Sequence, residues 1–328
     1  MKQTRRRQYI LLTTTIILSG IIILISAAFY MQWYALEAQG NERGKNHEDS
    51  YKYMYAKYPI LHNWVDSLNK HKALRDTFIT ADDQTRLHAL YIYADSVTPN
   101  TAVVVHGYTD NAVRMLHIAY LYNHDLRYNV LLPELRYSGT SEGTHIQMGW
   151  LDRKDVIKWM DIANQIFSVP DSTGETTTQM VVHGISMGAA TTMCVSGEPQ
   201  KNYVNCFIED CGYTSVWDEY SKELYNQFSL PEFPLLHITS WITQLRYGWN
   251  FKEASPLEQI KKSHYPMLFI HGDADNFVPT WMGDTLYANY KGPKEYWRVP
   301  GVAHAESYFK FPKEYTNYVK KFVNKYNH

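Results

Sequence analysis

Gln179-Met180-Val181-Val182-His183-Gly184-Ile185-Ser186-Met187-Gly188-Ala189-Ala190 is the stretch on which the fold turns. An apolar run closes in Gly-Ile-Ser-Met-Gly and passes into small, helix-compatible residues, the strand–turn–helix setting of a nucleophile elbow. The serine of such an elbow is held in a cramped turn, so Gly184 and Gly188 flank it without a Cβ to clash. Ser186 then stands at the carboxyl edge of a sheet with a helix N-terminus behind it. The dipole of that helix and the Met187 N–H both favour negative charge arriving there. A bare Gly-x-Ser-x-Gly also describes a surface turn, so the rest of the chain must supply a base, an acid and an oxyanion donor.

Working outward, the elbow lies inside an alternation of strand and helix patterns. Upstream, Arg75–Thr80 and Leu87–Tyr93 form a predicted hairpin across the polar Asp82-Asp83-Gln84 turn. Ala102–Val105 and Asn129–Leu135 read as strands buried on both faces, separated by a helix running to about Asp125. A Ser/Gly-rich loop over 136–143 precedes an amphipathic helix over Leu151–Phe167. Downstream, Val204–Asp210, Pro266–His271 and Glu295–Val299 are further strands, with helices over Thr280–Tyr290 and Pro312–Tyr326. The fold class is α/β: an eight-stranded, mostly parallel sheet flanked by helices. Residues 213–262 break the rhythm with aromatics such as Trp217, Tyr220, Trp241 and Trp249 and with Pro231, Pro234 and Pro256. They read as helical hairpins inserted as a cap.

The N-terminus is a different material. Lys2, Arg5, Arg6 and Arg7 precede an uncharged run from Tyr9 to Trp33. Its apolar centre, Ile10 to Tyr30, spans roughly 30 Å as a helix, the thickness of a bilayer core. The arginines predict a cytoplasmic N-terminus and an extracytoplasmic remainder on a single-pass anchor. The competing reading is a signal peptide cut near Ser26-Ala27-Ala28, which gives a secreted protein; the length of the run favours the anchor. The expected division is 1–34 as cytoplasmic stub and anchor, 35–73 as juxtamembrane linker with a short helix around Trp64, and 74–328 as the catalytic domain. Gly40, Gly44 and the Asn46–Asp49 patch mark the linker.

Composition bounds the function. The formal net charge is −1, with 45% hydrophobic and 15% aromatic residues, which supports a sizeable core and argues against a nucleic-acid partner. Cys194, Cys206 and Cys211 lack zinc-ligand spacing, and Cys206 and Cys211 are too close along one strand end for an easy bridge. No His/carboxylate run has metal-ligand spacing, so neither metal nor cofactor is expected.

Catalytic groups of such a sheet gather at the carboxyl ends of its strands. The loop His271-Gly272-Asp273-Ala274-Asp275 offers an acid, and Gly301-Val302-Ala303-His304 offers a base. The order Ser…Asp…His is the one this architecture uses. His304 is the candidate general base for Ser186, with Asp275 or Asp273 holding its tautomer. Oxyanion donors are the N–H of Met187 and, after the strand ending at His106-Gly107, the N–H of Tyr108.

These pieces together resemble the α/β-hydrolase superfamily, most closely its bacterial serine aminopeptidase-like or BAAT acyl-hydrolase-like branch, with kinship to monoacylglycerol lipase-like and ABHD-type enzymes. The resemblance covers about Phe78 to Tyr326 and is carried by HGYTDN (106–111), ELRYSGTSEG (134–143), HGISMGAAT (183–191), EDCGYTS (209–215), HGDADNFVP (271–279) and GVAHAES (301–307). It implies that the acid is Asp275, and it implies a variable cap after the sixth strand. Glu134 and Tyr137 depart from the usual pattern, which has Asp and Gly there. Three functions are weighed: an ester hydrolase, for which the aromatic cap fits an apolar acyl or aryl group; a peptidase, with Glu219, Glu223 or Glu232 recognising a free amine; and a non-catalytic envelope protein retaining the fold. The small-molecule partner is an ester or amide, the membrane partner acts through the N-terminal helix, and oligomeric state is left open.

Overall fold

The computed structural model describes residues 2–38, 46–170 and 174–328. Eight strands make one sheet: β1 (Leu74–Thr80), β2 (Arg86–Ile92), β3 (Asn100–Val105), β4 (Asn129–Pro133), then, after a short ribbon of β5 (Val169–Pro170) and β6 (Thr176–Thr177), β7 (Gln179–Ile185), β8 (Val204–Asp210), β9 (Met267–Gly272) and β10 (Lys294–Val299). Their order is β1-β2-β4-β3-β7-β8-β9-β10. β2 pairs antiparallel with both neighbours, and every ladder from β4 to β10 is parallel. The antiparallel start follows from the tight Asp82–Gln84 turn, too short for a crossover helix. The central strands β3 and β7 are buried almost throughout, as continuous apolar runs covered on both faces must be.

Helices cover the two faces. α1 (Lys2–Trp33) projects from the domain; α2 (His47–Lys57) and α3 (Ile60–Lys70) precede the sheet. α4 (Leu116–Tyr120) sits between a 3-10 turn and a wide turn, so the chain is helical from Ala112 to Asp125. α5 (Asp152–Phe167) and α6 (Met187–Ser196) flank the elbow; α7 (Val216–Phe228), α8 (Leu235–Tyr247) and α9 (Pro256–Ile260) form the cap; α10 (Thr280–Asn289), α11 (Ser307–Lys310) and α12 (Pro312–Tyr326) close the fold. The sheet separates two cores. One gathers α5, α6 and the cap around Trp159, Phe207 and Trp249; the other gathers α2, α3 and α12 around Tyr122, Tyr315 and Phe322.

The expected linker over 35–73 needs correction. Gly40 and Gly44 lie outside the described residues, but from residue 47 the chain forms two packed helices instead of one short one. Asn46 caps α2 by accepting from the Asp49 N–H, so the polar patch is a helix start. Met54, Leu61, Trp64, Val65 and Leu68 are buried against the domain. The short helix expected around Trp64 is present as α3; α2 is the addition, and the surfaces that both helices bury against belong to distant elements of the chain.

α1 is long and apolar enough to cross a membrane: an 18-residue window within Arg5–Ala38 has mean hydropathy 2.5 and no buried share. Its last turns do not stand free. Ala28 and Leu36 are fully buried in the domain core, and Thr239 of α8 lies 3.5 Å from the Ala28 carbonyl.

Candidate active site

The elbow is strained as its sequence requires. Ser186 has φ 58° and ψ −120°, a conformation a non-glycine residue holds only when its surroundings impose it. The imposition is visible at both glycines: a Cβ on Gly184 would meet the Gly188 carbonyl oxygen at 2.0 Å, and one on Gly188 would meet that of Val105 at 2.1 Å. Ser186 also donates its N–H to the Asp210 carbonyl at 2.8 Å, fixing the turn to the end of β8.

The strand ends bring the expected side chains together. Ser186 Oγ lies 2.8 Å from His304 Nε2, and His304 Nδ1 lies 2.7 Å from Asp275 Oδ2. Asp275 accepts from the N–H groups of Phe277 and Val278 through its other oxygen, each at 2.9 Å. A carboxylate held by two amides keeps its free oxygen aimed at the imidazole, which sets the Nδ1–H tautomer and leaves Nε2 to accept from the serine. Asp273 faces elsewhere: it accepts from the Gly301 N–H at 2.6 Å and braces the loop that carries His304.

The two expected oxyanion donors flank the serine. Met187 is the first residue of α6. The loop of Tyr108 reaches the nucleophile through Gly107, where an added Cβ would lie 3.5 Å from Ser186 Cβ. Among the described residues, neither N–H donates to another group of the chain. His106 organises this loop: Nε2 accepts from the Leu135 N–H at 3.0 Å and Nδ1 donates to the Gly107 carbonyl at 2.8 Å. Burial lowers its pKa, which keeps the imidazole neutral as that pairing requires.

Several groups escaped the sequence. Glu134, the departure from the usual motif, is completely buried and accepts from four donors: His47 at 2.6 Å, His88 at 2.8 Å, and the N–H groups of Thr140 and Ala112. Burial opposes its charge, but the two imidazoles and the Thr140 N–H prevail and bring its pKa down to about 2. No His/carboxylate run along the sequence has metal-ligand spacing, yet the fold builds a cluster here from residues up to 87 positions apart, with ligand-type atoms within 4.8 Å of one another. The sequence signal was the long carboxylate itself, where an Asp is usual. Tyr137 holds φ 63°, so the backbone keeps the conformation for which glycine is the usual choice. Beneath the elbow, Tyr122, His183, Tyr315 and Asp210 form a buried hydrogen-bonded chain, with burial raising the Asp210 pKa to about 7. Of the three acids suggested for amine recognition, Glu223 bonds Lys222 and Gln227, Glu232 bonds Ser221, and Glu219 alone is buried with both oxygens unpartnered. Burial pushes its pKa up to about 8. Cys194, Cys206 and Cys211 are buried free thiols.

A model of the prolyl oligopeptidase family matches residues 143–310. The uncharacterized protein YqkD of Bacillus subtilis (strain 168) is 31% identical over 237 residues, covering 72% of this chain and 75% of its own length. The uncharacterized protein YfhR of Escherichia coli (strain K12) is 25% identical over 235 residues, covering 70% and 72%. The esterase Pf2001 of Pyrococcus furiosus superposes with a TM-score of 0.60 at 19% identity, over 78% of this chain and 91% of that one. The acylaminoacyl peptidase of Pyrococcus horikoshii superposes with a TM-score of 0.55 at 17% identity, over 78% of this chain and 42% of that one. At such identities the superpositions speak to the fold, which is that of the α/β-hydrolases. With the family model spanning the elbow, the acid loop and the histidine loop, the chain belongs to the prolyl oligopeptidase family, serine hydrolases of the α/β-hydrolase superfamily.

Proposed function

We propose that this serine hydrolase is membrane-anchored, lies outside the cytoplasm and cleaves carboxylic esters through an acyl-enzyme. Ser186 is the nucleophile, His304 takes its proton and returns it to the leaving alcohol, and Asp275 steadies the imidazolium between those steps. The Tyr108 and Met187 N–H groups receive the oxyanion. In this reading residues 1–34 anchor the chain, α2 and α3 pack onto the domain ahead of the sheet, and 74–328 carry the chemistry beneath a cap at about 213–262. The observation that carries the proposal is the unbroken relay from Asp275 through His304 to Ser186, at 2.7 Å and 2.8 Å. A fluorophosphonate probe is expected to label the wild-type protein at Ser186, and short p-nitrophenyl esters to turn over. Equal labelling of Ser186→Ala refutes the assignment.

A second reading, peptide hydrolysis, draws on Glu219, whose unpaired buried carboxyl in α7 is the kind of group an ammonium recruits. Its raised pKa counts against it, because a neutral carboxyl gives a substrate amine no ion pair until the amine itself draws the proton off. Rates on aminoacyl-arylamides against aryl esters separate the two readings.

A further inference from the structure

The anchor helix and the cap are built as one unit. Thr239 of α8 meets Ala28, while Arg246, about two turns further along the same helix, meets Gln32 and pairs with Glu37 at 3.1 Å. Rising numbers on α8 meet rising numbers on α1, so the two helices run in the same direction. The start of α8, and the α7–α8 turn before it, therefore lie on the side from which the apolar length of α1 arrives. That turn, Ser229-Leu230-Pro231-Glu232-Phe233-Pro234, exposes two large apolar side chains beside one carboxylate: Leu230 is exposed, Phe233 is 73% exposed, and Glu232 accepts from Ser221. Trp241 on α8 is 62% exposed, and Phe29, Tyr30 and Trp33 of α1 are about half exposed. Aromatics clustered beside a membrane-length helix are the pattern of a bilayer interface.

Between these helices lies a mainly apolar cleft that is partly open to solvent. Met31 and Ala35 from the anchor, Tyr108 from the oxyanion loop, Tyr220 from α7, Leu235 from α8 and Phe251 line it. The join is tight: the Tyr108 hydroxyl donates to the Ala35 carbonyl at 2.6 Å. One polar atom in this wall, the buried Tyr220 hydroxyl, has no hydrogen-bond partner. That hydroxyl is a donor that no group of the described chain uses, in a wall that is otherwise mainly apolar.

We infer that the cavity between α1, α7 and α8 takes the acyl chain of a lipid ester resident in the bilayer, with the α7–α8 turn seated in the leaflet and the anchor helix forming one wall of the substrate site. The inference rests on the ester-hydrolase reading and names its substrate class. Tyr108 joins the two: it follows Gly107, where an added Cβ would lie 3.5 Å from Ser186 Cβ, and it lines the cavity. In this inference the acyl chain enters from the leaflet side, and the Gly107-Tyr108 loop is the link between the cavity and Ser186. The exchange of atoms is that of any ester hydrolysis: the Ser186–acyl bond replaces the acyl–alkoxy bond, and water then releases the fatty acid.

The test uses the full chain reconstituted in phosphatidylcholine vesicles, with 4-methylumbelliferyl oleate in the bilayer and p-nitrophenyl acetate in the water. Gln227→Trp at the exposed mouth and Met31→Trp in the wall are expected to lower the oleate-to-acetate rate ratio by roughly tenfold or more. A ratio unchanged in both variants overturns the inference. Phe233→Ser is expected to lower the rate on oleate in vesicles relative to the same ester in detergent micelles by about fivefold; an equal fall in both overturns the seating of the turn. Fluorophosphonate labelling of Ser186 runs alongside. A wild type that neither labels nor hydrolyses acetate defeats the ester-hydrolase reading. A wild type that labels and hydrolyses acetate but does not favour the bilayer ester defeats only the inference.

Discussion

Two walls flank the catalytic edge, and they are made of opposite materials. The cap and anchor side is aromatic and aliphatic, continuous with a membrane-length helix. The α2 side is charged: Lys57, Arg114, Asp110 and Glu306 surround a cleft that also contains His304. Its order comes from polar and ring contacts. Ser50 Oγ accepts from Asn111 at 2.9 Å, the Arg114 guanidinium lies 3.9 Å from the Tyr53 ring, and Tyr58 stacks on His117. The two walls also show why one insertion was easy to read and the other was not. Aromatic residues in an aperiodic stretch must pack on something, so 213–262 announces a cap. Charged residues with Gly and Asn nearby read as solvated until their distant partners are known, so α2 passed for linker.

The largest expected effect tests what the walls share. Ser186→Ala should lower turnover of every substrate by about 10⁶-fold, with the far-ultraviolet circular dichroism unchanged. A residual rate close to wild type would place the chemistry elsewhere and sever both walls from it. Next in size is the acid. Asp275→Asn should cost about 10⁴-fold in kcat through loss of the correct imidazole tautomer. Asp273→Asn should cost less than about tenfold, because Asp273 only braces the Gly301 turn. Reversal of that ranking in kcat/KM measurements would exchange their roles.

The α2 wall breaks without touching the cap. Glu134→Gln keeps the shape but removes the charge shared by His47 and His88, and should lower stability by about 3 kcal/mol in urea unfolding. Glu134 is depressed to about 2 in the folded protein, so its contribution is present in full above the ordinary carboxylate pKa and disappears only as pH falls toward 2. His47 gives the smallest effect, ~1 kcal/mol or less for His47→Ala. Its pKa is raised, chiefly by the hydrogen bond to Glu134. Its contribution is therefore full below the ordinary imidazole value and fades as pH rises through the raised one. The stability gap between wild type and variant should be wider near pH 6 than near pH 8. A gap that widens toward high pH would mean that His47 is held neutral and α2 is fastened by other contacts.

Much of the site was legible because its parts are local. Gly184, Ser186 and Gly188 carry their own steric argument within five positions, and His106-Gly107 ends an apolar run that cannot be anything but a strand. The histidine and acid loops followed from the alternation of strand and helix around them. The Glu134 cluster was not legible, because His47 and His88 come from an N-terminal helix and a hairpin strand, and nothing in either segment's pattern points to the other. Asp210 was seen only as the end of a strand; its place above Tyr315 and His183 depends on how α12 crosses the sheet.

By itself the sequence determined the sheet, the elbow, the order of its catalytic residue types and the presence of an apolar N-terminal helix, since each is written in residues close enough to constrain one another through backbone sterics or hydrophobic period. Tertiary structure decided which distant segments pack around the carboxyl edge of the sheet. It folded α2 and α3 onto the domain, set Asp275 against His304 while turning Asp273 to the Gly301 N–H, and made the end of α1 a wall of the cavity. Those outcomes depend on which distant surfaces bury each other, and burial is a property of the assembled chain.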